Sequence, residues 1–268
     1  MMKEIICKLN EKGFEAQETI LTKNGIEKLA VTIGKGTIKP AIYIDEMLDA
    51  NLSADEIVSE IINIYKNSPA LKIDTSTLLS WDYAKENLQL CLQRRTSENI
   101  LKRPFLDMEM YIRVKLDDEK SYKVKPGMFK ISENEIFDIA FNSMKENIVV
   151  EDIMEIMAEM AGVTVEEMIA MQGENPPMVV VSNKTKLNGA STICSTEILR
   201  EIADRYNADL VILPASIHEC ILYPVSVTTD LGEFDAMVRE VNESTVSPEE
   251  VLSNHAYKFL RKENRIVY

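Results

Sequence analysis

Residues 178–225 read MVVVSNKTKLNGASTICSTEILREIADRYNADLVILPASIHECILYPV, and this stretch decides the fold class. MVVVSN has the apolar run of a buried strand, and NGASTIC, opened by the tight-turn pair Asn188-Gly189, predicts a second strand. TEILREIADRYN has helical spacing, while DLVILP and ECILYPV predict two more strands. The order ββαββ predicts a mixed, mainly antiparallel sheet with the helix packed on one face.

The flanking sequence predicts the same class. Asn24-Gly25 is a tight-turn pair, the stretch 77–93 predicts a helix, and MYIRVKL, residues 110–116, alternates as a half-buried strand does. Ser53 to Glu56 has the capping-box pattern, in which a serine and a glutamate satisfy amides at a helix start, and Ser247 to Glu250 predicts another helix. The expected fold is α/β (α+β), with mixed, mainly antiparallel sheets, packed helices, and a C-terminal ββαββ unit followed by a helix.

Composition changes divide the chain into three predicted regions. Residues 1–130 form an N-terminal α/β region, residues 131–175 an acidic helical segment, and residues 176–268 the C-terminal region. The acidic segment has eleven Asp or Glu against one Lys, which accounts for most of the net charge of −14. Asn175-Pro176-Pro177 is the clearest linker.

This charge bounds the function. An acidic surface repels phosphate backbones and anionic lipids, so direct binding to nucleic acid or membranes is not expected. No apolar run is long enough to span a membrane, and the N-terminus lacks the apolar core of a signal peptide. We expect a cytoplasmic protein whose four widely spaced cysteines are reduced.

One acidic stretch, EDIMEIMAEM at 151–160, predicts an amphipathic helix. Its apolar positions, predicted to face inward, are Ile153, Ile156, Met157 and Met160. Glu151, Glu155 and Glu159 form a like-charge row on the opposite face. The row is interpreted as a solvated face, and the alternative is that it binds a basic partner.

The sequence also contains one candidate catalytic group. Ser216, His218 and Glu219 are close together, and in an extended segment Ser216 and His218 project to the same side. Glu219 then points to the opposite side, and no Gly-x-Ser-x-Gly elbow is present. The favoured interpretation is that His218 is structural, with a ring nitrogen satisfying a backbone or carboxylate group at the turn.

Metal and cofactor patterns are weak. Gly34-Lys35-Gly36 is followed by a predicted strand rather than a helix, which argues against a phosphate loop. Asp117-Asp118-Glu119 lacks the alternating spacing of a calcium loop. Neither a metal nor a cofactor is expected.

The C-terminal run, together with GIEKLAVTIGKGTIKPAIYID near the N-terminus, resembles an uncharacterised domain-of-unknown-function family of gut Clostridia. In that family the segment matching 213–219 reads Leu-Pro-Ser-Ser-x-His-Glu, and Ala215 replaces the first serine here. The resemblance implies no activity. The positions of this chain that match the recognisable signature are Asn183, Asn188, Gly189, Pro214, Ser216, His218 and Glu219. Asn183, Asn188 and Gly189 are therefore candidate ligand-binding residues.

Three functional hypotheses follow. The leading one is a non-catalytic bacterial module that binds a protein or a small ligand. The second is an acidic protein that sequesters a basic or nucleic-acid-handling partner through Glu151, Glu155 and Glu159. The third is a hydrolase that uses Ser216 and His218.

Overall fold

The structure is a computed structural model that describes residues 1–35, 39–67, 75–116, 120–172 and 177–268. Gly36, the Asp117–Glu119 stretch and most of the predicted linker at 175–177 lie outside the described residues. The chain forms two compact units: residues 1–87 with 115–121, and residues 88–114 with 122–268. The three predicted regions stay a prediction.

The first unit is an antiparallel three-stranded sheet with helices packed on it. Its elements are α1 (Met2–Glu11), β1 (Ala16–Lys23), β2 (Ile26–Ile33), β3 (Ala41–Tyr43), α2 (Asp45–Asp49), α3 (Ala54–Asn67), α4 (Thr75–Leu78) and α5 (Trp81–Glu86). Asn24 and Gly25 have φ of 49° and 81°, the positive values that a two-residue hairpin turn requires. The Ser53–Glu56 capping box is confirmed, because the Ser53 N–H donates to Glu56 Oε2 at 2.8 Å.

The second unit contains two sheets. Its elements are β4 (Leu88–Arg94), β5 (Lys102–Phe105), β6 (Met108–Lys115), β7 (Ser121–Lys123), α6 (Glu133–Glu146), β8 (Ile148–Asp152), α7 (Ile153–Ala161), α8 (Val165–Gln172), β9 (Val179–Asn183), a 3₁₀ helix (Gly189–Cys194), α9 (Thr196–Tyr206), β10 (Asp209–Pro214), β11 (Cys220–Val225), α10 (Gly232–Ser244), β12 (Tyr257–Leu260) and β13 (Arg265–Val267). The larger sheet has the order β13-β12-β10-β11-β9-β8, and its neighbouring strands are antiparallel. The predicted α+β class with antiparallel sheets is therefore confirmed.

Strand β10 lies inside this sheet, and all six of its residues are buried. Leu210 and Ile212 pack in the core that includes α9, while Val211 and Leu213 pack on the opposite face with Val238 of α10. Successive side chains of a strand point to opposite faces, so helices on both faces require the unbroken apolar run LVIL at 210–213.

Three local predictions are wrong. Residues 88–93, predicted helical, form β4, because pairing with β6 along its whole length overrides the local helical preference. NGASTIC is a buried 3₁₀ helix rather than a strand. The helix predicted at Ser247–Glu250 is a turn, because the Glu250 carbonyl accepts from the Ile217 N–H at 2.8 Å instead of continuing a helical ladder. Helix α10 follows β11, and the last described elements are β12 and β13, with no helix after them.

The acidic stretch also differs from its prediction. Glu151 belongs to β8, so it does not share a helix face with Glu155 and Glu159 of α7. Met160, predicted to face inward, is 84% exposed, and the buried residue of α7 is Ala158. Among the helices that the structure describes, none is long and apolar enough to cross a membrane.

Candidate functional site

Five signature residues lie together where β9 ends and residues 184–188, the signature loop, lead into the 3₁₀ helix: Asn183, Asn188, Gly189, Ser216 and His218. The Asn183 side chain organises this loop: Oδ1 accepts from the N–H groups of Thr185 and Leu187, and Nδ2 donates to the Leu187 carbonyl at 2.9 Å. Asn188 follows in the left-handed region at φ 55°. An asparagine that satisfies its neighbours' backbone groups is a structural device typical of turns.

His218 connects the signature loop to a second loop, the turn that contains Glu250. Its Nδ1 accepts from the Asn188 N–H at 3.0 Å, and its Nε2 lies 3.3 Å from Glu250 Oε1. A ring nitrogen that accepts carries no proton, so the neutral ring holds its proton on Nε2 and donates toward Glu250. His218 therefore makes the predicted kind of contact: one ring nitrogen binds a backbone N–H, and the other faces a carboxylate.

Gly189 lies where three neighbours leave no room for a side chain. A Cβ there would lie 2.3 Å from Ser182 Oγ, 2.6 Å from the Asn183 nitrogen and 2.8 Å from the His218 carbonyl oxygen. Ser182 Oγ also donates to that carbonyl at 2.8 Å. The sequence suggested ligand binding for Gly189, and the geometry provides a packing reason for the glycine.

The arrangement of Ser216 gives the hydrolase hypothesis little support. Ser216 Oγ accepts from the backbone N–H of His218 at 3.0 Å, and both nitrogens of the His218 ring face Asn188 and Glu250. A serine nucleophile needs a base within hydrogen-bond reach, and here the ring nitrogens have other partners. Use of Ser216 and His218 for hydrolysis stays a prediction.

The buried thiols offer no ready nucleophile either. Burial raises the pKa of Cys91, Cys194 and Cys220, so these thiols remain protonated near neutral pH. Cys7 is exposed, and its pKa is raised by its hydrogen bond to Glu11.

One of the acidic candidates, Glu151, contacts the signature loop. Lys186 Nζ is 2.9 Å from Glu151 Oε2, and this contact is the main reason that the pKa of Lys186 is raised. The negative charges of Glu219 and Glu159 also raise the pKa of Lys186, by less than the contact with Glu151 does. Glu155 is exposed on α7.

The helix pair α7–α8 exposes large apolar side chains among glutamates. Met160 is 84% exposed, Met171 75% and Ile169 36%. The exposed glutamates of the pair are Glu155, Glu159, Glu166 and Glu167. We call the exposed side chains of residues 153–171 the acid–methionine surface.

A cleft of about 300 Å³ in the second unit was missed by the sequence analysis. It lies at the end of β4, beside the β5–β6 turn and the 251–255 segment, and it contains Arg94, Asp107 and His255. Asp107 Oδ2 is 3.0 Å from His255 Nε2, although the two residues are 148 positions apart. The sequence offers one weak indication of this cleft, namely that His255 is one of only two histidines. No local pattern connects His255 to Asp107.

The protein is an α+β fold with an ordered signature loop, exposed glutamates on α7 and α8, and a small polar cleft. These features define a class of folded domain, and they do not specify an activity. Residues 1–261 match the model of a family of unknown function (DUF5688), and the chain belongs to that family. No curated protein and no solved structure matches it.

Proposed function

We propose that this chain is a non-catalytic module that binds a basic, amphipathic segment of a partner protein on the acid–methionine surface. The observation that carries the proposal is the exposure of Met160 and Met171 in a helix pair that also presents four exposed glutamates. Exposed large apolar side chains that form a contiguous patch are typical of an interaction site, and we infer that Met160 and Met171 belong to one.

Charge determines the kind of partner. Residues 153–172 contain four glutamates and no lysine or arginine, so a partner with lysine or arginine next to apolar side chains complements the surface. Methionine suits this role because its flexible, polarizable side chain adapts to different apolar surfaces. Glu151 already forms an ion pair with Lys186. We therefore assign the contacts with the partner's basic residues to Glu155 and Glu159.

One ion pair connects the signature loop to the segment just before this surface. Asn183, Asn188 and His218 order the loop that carries Lys186, and Lys186 binds Glu151 immediately before α7. In this proposal the signature residues position the surface and do not contact the partner.

A labelled amphipathic helical peptide made of Lys and Leu tests the proposal by fluorescence anisotropy. We expect binding to the wild-type chain, a loss of at least about tenfold in affinity in the Glu155→Lys/Glu159→Lys variant, and weaker binding at high salt. The matched control is Glu240→Lys/Glu243→Lys, which reverses two exposed charges on α10 and should bind as the wild type does. Equal losses in both variants would show a general charge effect and refute the proposal.

The contribution of the exposed methionines to peptide binding is tested separately. Met160→Gln/Met171→Gln should weaken peptide binding, whereas Met237→Gln, at a 51% exposed position of α10, should not. Unchanged affinity in the double variant would contradict docking on this surface. A peptide with Glu at every Lys position should not bind.

A further inference from the structure

The polar cleft is built by three segments of the second unit. Strand β4 contributes Arg94, the β5–β6 turn and the start of β6 contribute Asp107 and Met108, and the stretch 251–255 before β12 contributes the rest. The lining residues are Arg94, Asp107, Met108, Val251, Leu252, Ser253, Asn254 and His255. The volume of about 300 Å³ is at the lower limit of small-molecule sites, which suits a ligand of few atoms.

Arg94 provides a positively charged group that is held in place. Its Nε donates to the Val251 carbonyl at 2.6 Å, and its Nη2 donates to the Pro248 carbonyl. Partial burial lowers the pKa of Arg94, yet a guanidinium remains protonated at any physiological pH. These two backbone carbonyls hold the guanidinium in place, and a planar guanidinium can bind a carboxylate through two hydrogen bonds.

Asp107 provides the negatively charged group. Its Oδ1 accepts from the Tyr257 hydroxyl at 2.7 Å, and its Oδ2 faces His255 Nε2 at 3.0 Å. Burial raises the pKa of Tyr257, so the phenol remains a neutral donor. The Asp107 side chain is 38% exposed, and each carboxylate oxygen accepts more than one hydrogen bond, so it retains capacity for a ligand ammonium.

The strand register brings the two charges to the same cleft. Arg94 is paired with Met108, the residue after Asp107, across the β4–β6 ladder. Ser253 and Asn254 add polar groups, while Met108, Val251 and Leu252 supply an apolar wall. The cleft therefore combines a cation, an anion and an apolar surface.

We propose that this cleft is a binding site for a small zwitterion of the α-amino-acid class with an uncharged side chain. The ligand carboxylate contacts the Arg94 guanidinium, the ligand ammonium contacts Asp107, and the side chain lies on the apolar wall. This site is separate from the acid–methionine surface, and its proposal does not depend on peptide binding there.

Isothermal titration of the full chain with L-alanine, L-serine, L-valine and L-leucine tests the site. At least one of them should bind one to one with a Kd below about 1 mM. The matching amine without the carboxylate and the matching acid without the amine should each bind at least about tenfold more weakly. If none of the four binds, or if either analogue binds as tightly as the amino acid, the proposal is wrong.

Substitutions locate the binding. Asp107→Asn and Arg94→Lys should each weaken binding at least about tenfold, because one removes the anion and the other the planar fork. Arg239→Gln, which removes an exposed arginine of α10, is the control and should not change the affinity. Circular dichroism confirms that each variant is folded. If Arg94→Lys does not fold, Asp107→Asn decides the outcome, and binding that survives this change refutes the site.

Discussion

Replacing His218 by alanine tests the structural role of the signature loop. The variant removes the acceptor of the Asn188 N–H and the donor toward Glu250, and it leaves both partners partly buried. Leaving the Asn188 N–H without its acceptor costs about 1 to 3 kcal/mol. For a unit of this size each kcal/mol lowers the melting temperature by about 2 to 4 °C.

A conservative variant separates the two contacts of His218. In His218→Asn, the side-chain carbonyl oxygen can replace Nδ1 as the acceptor of the Asn188 N–H, while the contact with Glu250 is lost. We expect this variant to recover part of the stability that His218→Ala loses.

The assay is urea denaturation followed by circular dichroism, with thermal melting as a second measurement. A midpoint for His218→Ala that is unchanged or raised would refute the structural role. Such a result is typical of a catalytic histidine, because replacing a poised catalytic group often leaves stability the same or higher.

Two further predictions concern local packing and charge. Gly189→Ala should lower the free energy of unfolding by about 1 to 3 kcal/mol, because the added Cβ meets Ser182 Oγ and two backbone atoms; an unchanged urea midpoint would contradict this. Hydrogen bonds from Ser53 lower the pKa of Glu56 below its ordinary value of 4.5. The ionised Glu56 therefore stabilises the first unit above about pH 4.5, and this stabilisation is lost as the pH falls through the lowered pKa. Glu56→Gln should flatten that part of the stability profile, and an unaltered acid profile would argue against it.

The sequence correctly predicted those elements whose structure is determined by their own residues. The apolar run of β10 and the turn residues Asn24 and Gly25 are examples, because each specifies its backbone without distant partners. The predicted contact of His218 followed from the rule that polar groups at a turn need partners.

The wrong predictions concern elements whose structure depends on contacts between distant segments of the chain. Residues 88–93 are a strand because β6 pairs with them, and Ser247–Glu250 is a turn because the chain around Ile217 binds its backbone. The pair of Asp107 and His255 joins residues 148 positions apart, which no spacing rule indicates. Met160 has the helical spacing of a core residue, but in a helix pair with few buried positions the same spacing leaves it exposed.

Hydrogen exchange with and without the Lys-Leu peptide tests the proposed function most directly, because it reports where the peptide binds. The account predicts slower exchange of amides in residues 153–172 on peptide addition, with little change in α10, which also has exposed glutamates. This protection should be absent in the Glu155→Lys/Glu159→Lys variant. Protection spread over all acidic helices, or confined to a region outside 153–172, would contradict the account.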